Sequence, residues 1–339
     1  MNNNSTNYQS ILAPYLKAFV NEQIMLGKKA EDIKWDLHCF DQYLSSIHYD
    51  KEFIIESVYN DWLSTIQHQK TSTIYQKVSV VSRFLKYMTN IGQECYIPRL
   101  PRRYDSGFVP YIYSLAEMNT IFAACDRLRM KERHADSILI TLPTLFRLLY
   151  STGIRISEAL AIKNKDLDIK HHVITLNQTK NGSQRLAPIN ASMEAVLNQY
   201  IEYRNQMPIE GTMNPDRHLL VSSSGKPCTR RTVGKWFIKI LEESHIPYKG
   251  SHLGPRIHDI RHTTAVHALV DMTRKGKDLY CCLPILSIFL GHKKVVDTEH
   301  YLRITKEMYP ELIKMDLAAT SPISQVIFHS LAAFQDENI

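Results

Sequence analysis

Across residues 8–91, apolar positions recur three and four apart, the period of helices that bury one face. Tyr15, Leu16, Phe19, Val20, Ile24 and Met25 form a first run, and Ile33, Leu37, Phe40 and Leu44 a second. Phe53, Ile54, Val58, Trp62, Leu63 and Ile66 form a third, and Val78, Val81, Phe84, Leu85 and Met88 a fourth. Four helices are predicted here. Thr71-Ser72-Thr73 offers N-cap hydroxyls to the fourth, and Gly92 a C-cap.

The period then fails. Pro98, Pro101, Gly107 and Pro110 exclude regular structure over residues 93–112, which read as an interdomain linker. Beyond it, Ser114 caps a helix through about Leu128, and residues 136–151 give another apolar helix. A new helix starts at Arg155. Val173–Leu176 and Arg185–Ile189 read as two strands joined through Lys180-Asn181-Gly182-Ser183, because Asn-Gly is a strong hairpin signal. Residues 191–207 and 229–244 read as helices, Pro255 precedes the helix of His258, and Pro284 opens one that ends at Gly291. Ser321-Pro322 marks a last helix start, with Ile323, Val326, Ile327, Leu331 and Phe334 as its apolar stripe. The expected fold is mainly α with a small β-hairpin or sheet. The expected division is a helical domain over 1–92, the linker 93–112, a mixed α/β domain over 113–320, and a C-terminal helix over 321–339.

Composition narrows the partners. The chain of 339 residues has the length of about two domains. Lys and Arg number 41 against 34 Asp and Glu, a net charge of +7, compatible with nucleic acid and also with many cytosolic proteins. Residues 1–108 hold 12 Lys/Arg against 11 Asp/Glu, so the second part carries more of the field. Cys39, Cys95, Cys125, Cys228, Cys281 and Cys282 show neither CxxC nor Cys/His zinc spacing, and read as reduced thiols of a cytosolic protein. No apolar run reaches the ~18 residues of a membrane span, the polar start has no signal-peptide core, and no extra domain is expected before residue 8. Neither metal nor other cofactor is expected.

The candidate chemistry is phosphodiester cleavage without a metal. It requires fixed positive charge on the non-bridging oxygens, a deprotonated nucleophile and a protonated leaving oxygen. Arg155, three residues before Glu158, and Arg261, three after His258, are permanent, planar cations suited to phosphate. Lys180 stands at a hairpin tip as general acid. His258 and His292 can donate to phosphate or shuttle protons. Tyr301 is a nucleophile candidate. Each piece alone also has a plain reading: a surface Arg–Glu pair, a structural histidine, a packed tyrosine. Tyr309 rivals Tyr301, and His262, His267 and His300 rival for the base; His262 reads as a neighbour and not as catalytic.

Arginine, lysine, histidine, arginine, histidine and tyrosine in this order resemble the tyrosine recombinase (phage-integrase-like) family, over about residues 110–310. Tyr301, nine residues after His292, fits the family pattern. The resemblance implies a site-specific recombinase or integrase of a mobile element, phage or transposon, working through a covalent 3′-phosphotyrosyl intermediate. Its catalytic set would be Arg155, Lys180, His258, Arg261, His292 and Tyr301. Glu158 would support the site by orienting His258 or Arg155. The first domain would be a core-binding clamp on DNA. Lys70, Lys77, Arg83 and Lys86 would then face DNA as a stripe, or be an ordinary solvated face. Arg99, Arg102 and Arg103 in the linker, and Arg230, Arg231 and Lys235 in the second domain, join them as DNA-binding candidates. Implied partners are double-stranded DNA with inverted-repeat core sites and a homo-tetramer tied by the C-terminal helix; accessory proteins can take part. The implied place is the bacterial cytoplasm, at the nucleoid. Residues 273–284 exceed the shorter family pattern and read as a loop insertion. A type IB topoisomerase-like enzyme and a non-catalytic DNA-binding regulator are the alternatives.

Overall fold

The computed structural model describes residues 7–28, 30–101, 109–129, 136–177, 184–250 and 254–309. The chain divides into two compact units, Met1–Phe108 and Val109–Ile339.

The first unit holds α1 (Ala13–Met25), α2 (Glu31–Ser46), α3 (Glu56–Ile66) and α4 (Thr71–Asn90). Their apolar stripes meet in one core of Leu16, Phe19, Leu37, Phe40, Trp62, Phe84 and Leu85. Phe40 meets Trp62 edge to face, with ring centroids 5.0 Å apart. Buried Asp41 accepts from the backbone N–H of Gln9 and Ser10 and from the Ser10 hydroxyl, which pins the entering chain. The start of α4 departs from expectation. Lys70 is its N-cap, without a side-chain hydrogen bond, and Thr71–Thr73 lie inside the first turn. Its end follows expectation: Gly92 takes φ +95°, and the Gln93 N–H reaches back to the Met88 carbonyl. Cys95 and Tyr96, in the expected linker, pack on this core, and the Tyr96 N–H donates to the Ile54 carbonyl at 2.7 Å.

The second unit runs α5 (Leu115–Arg127), α6 (Leu142–Thr152), α7 (Ile156–Ala161), a short 3-10 turn, β1 (Leu167–Asp168), β2 (Val173–Leu176) and β3 (Arg185–Pro188). It continues through α8 (Ala191–Asn205), α9 (Arg230–Glu243), α10 (Ile257–Arg274), α11 (Cys282–Leu290) and α12 (Val296–Met308). Ser114 and Glu117 form a reciprocal capping box on α5. Helix α6 is shorter than the apolar run suggested. Pro143 lies in its first turn, where a missing N–H costs nothing, and Ile138 stays in the preceding turn. Pro143 and its neighbours thus set the start at Leu142.

The sheet is antiparallel in the order β1-β2-β3, with Leu176 opposite Arg185 and Val173 opposite Pro188. The hairpin is joined by a third strand, β1, only two residues long. Helix α11 begins two residues before Pro284, which the first turn tolerates. The expected insertion 273–284 is mostly helical at its ends. Helix α10 runs through Arg274 and α11 starts at Cys282, so only 275–281 are irregular. Buried Leu279 anchors that stretch to the apolar cluster of α10, α11 and α12. The hairpin tip 178–183 and the C-terminal helix expected over 321–339 lie outside the described residues. No helix among the described residues is long and apolar enough to cross a membrane.

Candidate active site

The site is assembled where α6 and α11 end. Both finish on a left-handed glycine, Gly153 at φ +59° and Gly291 at φ +68°. The last carbonyls of a helix have no partner within it. Arg261, in the second turn of α10, supplies one to each end. Its Nη1 donates to the Gly153 carbonyl and its Nη2 to the Leu290 carbonyl, both at 2.6 Å. A cation at two helix C-termini is also favoured by both dipoles. One buried arginine therefore ties three helices together. Burial, then the nearby Arg155, lowers its pKa to about 10, so it stays charged at neutral pH.

The turn at Gly153 brings Arg155 to the N-cap of α7. Its backbone N–H donates to Glu158 Oε2 at 2.9 Å and its Nη1 to Glu158 Oε1 at 2.8 Å. The Glu158 side chain is fully enclosed. Its other partner is Arg185 of β3, whose Nη2 donates to Oε2 at 2.9 Å. Burial opposes the carboxylate, yet the Arg155 N–H and the two guanidiniums hold its pKa below the usual range. Glu158 thus contacts Arg155, one of the two residues it was expected to orient. Its hydrogen bonds among the described residues go to Arg155 and Arg185.

Arg185 reaches further. Its Nη1 donates to the Phe289 carbonyl at 2.9 Å, on the last turn of α11. Its side chain passes so close to Gly291 that a Cβ there would lie 2.5 Å from Cδ and Nε. The sequence reading did not single out Arg185. The available signal was strand alternation: Ala187 is buried and Leu186 exposed, so Arg185 shares the inward face.

His292 follows the Gly291 cap, and its Nδ1 pairs with the buried Thr298 hydroxyl at 2.8 Å. Thr298 and Tyr301 are three apart on α12 and share a face. Tyr301 is 1% exposed. Its hydroxyl pairs with Nδ1 of His262 at 2.9 Å. The His292 ring stacks nearly parallel to the tyrosine ring at 6.3 Å. The His258 and His262 rings, one turn apart on α10, meet edge to face at 4.9 Å, and His300 closes the far side. Burial raises the Tyr301 pKa to about 12, against the pull of Arg261 and Arg155. Burial and the same two arginines push His292 down to about 4. His258 keeps a solvent-exposed edge, and the packed surroundings and then Arg261 and Arg155 lower its pKa.

The described members of the expected set therefore share one neighbourhood, while Lys180 lies outside the described residues. The rivals Tyr309 and His267 stand elsewhere: Tyr309 beneath the Arg274 guanidinium, His267 paired with the Tyr150 hydroxyl. Among the described residues no group of three or more His, Cys, Asp or Glu is arranged to hold a metal.

Of the DNA-binding candidates, Lys70, Arg83, Lys86, Arg99, Arg230, Arg231 and Lys235 are exposed. Arg102 and Arg103 lie outside the described residues. Lys77 is a correction. It is only 8% exposed, and its charge acts on the buried carboxylate of Asp36.

Comparison with known proteins gives the family. The profile of the phage integrase family matches residues 114–308. The Sinorhizobium fredii protein y4rB, which bears an integrase/recombinase name, is 30% identical over 226 residues, covering 67% of this chain and 70% of its own. Tyrosine recombinase XerC of a Roseiflexus species is 28% identical over 257 residues, 74% of each chain. In fold, the chain is similar to the XerH site-specific recombinase bound to a palindromic difH substrate. The TM-score there is 0.63 at 18% identity, covering 87% of this chain and 82% of that one. The chain therefore belongs to the phage integrase family and is a tyrosine recombinase, an enzyme that breaks and rejoins DNA strands in site-specific recombination.

Proposed function

We propose that Tyr301 attacks the scissile phosphate while Arg155 and Arg261 hold its non-bridging oxygens. The observation that carries this reading is the setting of the Tyr301 phenol: enclosed, subject to both guanidiniums, and ringed by histidines. The bond from Tyr301 Oη to phosphorus forms, and the bond from phosphorus to the 5′ oxygen breaks. A 3′-phosphotyrosyl link and a free 5′-hydroxyl result. Lys180 is assigned as the acid that protonates the leaving oxygen. His292, anchored by Thr298, and His258 donate to the phosphate or pass protons. The arginines are fixed before substrate arrives, so stabilising the crowded phosphorane needs little rearrangement at that moment. The phosphotyrosyl bond keeps the energy of the broken one, so rejoining requires no ATP and no cofactor.

The substrate in this reading is double-stranded DNA with inverted-repeat core sites, at the ends of a mobile element or phage. The first unit acts as the core-binding clamp, and four protomers meet on two sites in the bacterial cytoplasm. Exposed Ile285 and Ile288 on α11 and Val296 on α12 offer an apolar face for a neighbour's C-terminal stripe.

One experiment tests this. Nicked suicide substrates bearing short inverted repeats from the flanks of the gene should trap the wild type covalently, while Tyr301→Phe binds the same DNA and gives no adduct. An adduct from Tyr301→Phe would remove Tyr301 from the role. Relaxation of supercoiled DNA by single protomers, with no paired-site complex on native gels, would favour the topoisomerase-like alternative.

A further inference from the structure

We propose that His262 is a further catalytic residue: it takes the phenolic proton of Tyr301 during attack and returns it when the strands are rejoined. The proposal rests on the reading of Tyr301 as nucleophile. Among the described residues, His262 is the histidine whose ring nitrogen pairs with the reacting oxygen, at 2.9 Å. The other candidates are turned to different work. His292 spends its Nδ1 on Thr298 and presents a ring face to Tyr301. His300, next in the chain to Tyr301, touches its ring with centroids 3.8 Å apart. His258 meets His262, edge to face.

The placement of His262 is held by its neighbours. It follows Arg261, whose two bonds to the ends of α6 and α11 fix this turn of α10. From α10 and its N-cap, His258, Arg261 and Arg256 face the ring; from α12, His300 and Tyr301 do. Burial, then His258, His300, Arg256 and Arg261, push its pKa down to about 3. The ring is therefore neutral at physiological pH and free to accept a proton at Nδ1, with the other nitrogen carrying the hydrogen.

An imidazole this weak is a poor match for a phenol at about 12 while no substrate is present. The scissile phosphate changes both partners. Its negative charge offsets the guanidiniums that oppose imidazolium, which strengthens the base. Bond formation to phosphorus drains electrons from Oη and acidifies the phenol. The proton thus moves only with a phosphate in place, which guards a lone tyrosine against premature ionisation. The balance is complete: the O–P bond forms, the P–O5′ bond breaks, the phenolic proton passes to Nδ1, and the leaving oxygen draws its proton from the general acid.

The test is single-turnover formation of the covalent complex on a nicked half-site, with the full chain. His262→Ala should form adduct about 100-fold more slowly or worse, the scale of general-base catalysis, with half-site affinity unchanged. Added imidazole should restore part of the rate, and the residual rate should climb with pH toward the range of the phenol. His262→Asn keeps a hydrogen-bonding group without a base, and should be as slow as His262→Ala. The proposal is overturned if either variant cleaves at or above the wild-type rate, since the hydrogen bond would then be packing or a latch. Absence of imidazole rescue in a folded, DNA-binding His262→Ala would overturn it as well. Should His262→Ala not fold, the rate of His262→Asn decides alone. Tyr301→Phe runs in parallel; an adduct there fails the underlying reading and not the choice of base.

Discussion

At the Arg155 end of the site, each charge has a fixed partner. Arg155 and Arg185 close on Glu158 from two sides, and Arg261 is held by the carbonyls of Gly153 and Leu290. At the Tyr301 end, His258, His262, His292 and His300 gather around one phenol, joined to it and to Thr298 by single hydrogen bonds. Each end has a buried centre, Glu158 with Arg261 at one and Tyr301 at the other, but burial is resolved differently. Charge stays charged where an opposite charge or helix-end carbonyls surround it. His258, His262 and His292 instead stay neutral, because burial opposes their charged form first and the nearby arginines add to it. In the function proposed above, the fixed end holds the phosphate and the neutral end moves the protons. The first end sets the second, so disturbing either should show at the other.

The largest disturbance is Glu158→Ala. It leaves Arg155 and Arg185 without their shared anion in an enclosed space. Breaking a buried pair on one side costs about 3–5 kcal/mol, and that loss is the expected drop in unfolding free energy of the second unit. A loss below about 1 kcal/mol by denaturant titration would mean that water reaches the pair and the contrast is overstated. Glu158→Gln, which keeps the shape, should fall between the two.

The second disturbance is pH, and it separates the ends. His262 and His292 have folded pKa values of about 3 and about 4, below the ordinary histidine value. As pH falls below about 6.5, the unfolded chain takes up protons that the folded chain refuses. Their contribution is therefore full above that value and is lost as pH falls toward the folded pKa values. Each contributes a slope of up to about 1.4 kcal/mol per pH unit in that window. Glu158, also lowered, loses its contribution only below the ordinary glutamate range. Unfolding midpoints should fall from pH 7 to pH 5 on account of histidine, and more steeply below pH 4.5 on account of glutamate. His262→Asn with His292→Asn should flatten the first segment in part, since His267 shifts the same way. A wild type with a level midpoint from pH 7 to pH 5 would contradict the neutral-histidine end.

Much of this was legible in the sequence, and the failures have physical causes. The order of Arg155, His258, Arg261, His292 and Tyr301 was readable because each role demands one residue type at a helix start or helical spacing. The Ser114 cap and the Gly92 and Gly291 stops were readable because capping is local. Strand β1 was not, since two residues carry no period. Arg185 was signalled only by its alternation with Ala187, and which face of β3 points inward depends on the pairing with β2. The pairing of His262 with Tyr301 depends on how α12 lies against α10, which helical spacing on α10 alone does not give. Lys77 is different, because the information was present. Val80, Val81 and Phe84 follow it by three, four and seven residues, so the helical period already places it on the buried face.

The third disturbance acts on the joint between the ends. Gly291 is left-handed, and Arg185 passes through the space a side chain would fill. Gly291→Ala meets both the backbone strain and the clash, at a cost of about 1–3 kcal/mol. Arg185 would have to leave Glu158 or the Phe289 carbonyl, and His292 would shift with the turn. The effects of Gly291→Ala and Arg185→Ala should then be strongly non-additive in both stability and cleavage rate. Additive losses would show that the two ends are not joined through Arg185.

The smallest effects should come from cations outside the buried network, and they test whether its behaviour is particular to it. Arg83 on α4 and Arg230, Arg231 and Lys235 on α9 are exposed. Charges of this kind touch a phosphate backbone one at a time and exchange with salt. Neutralising one that contacts a phosphate should lower the salt slope of DNA binding by about 0.9 and leave the cleavage rate of bound DNA unchanged. Lys77 makes the useful contrast, because it sits on the same helix as Arg83 but is buried, with its charge on Asp36. Lys77→Ala should leave the salt slope alone and instead cost the first unit about 1 kcal/mol, through an Asp36 carboxylate left less compensated. The paired measurement is a salt titration and a denaturant titration on Arg83→Ala and Lys77→Ala. If Lys77→Ala lowers the slope and spares stability, its ammonium reaches DNA, and the distinction between buried structural charge and exposed binding charge fails in the first unit.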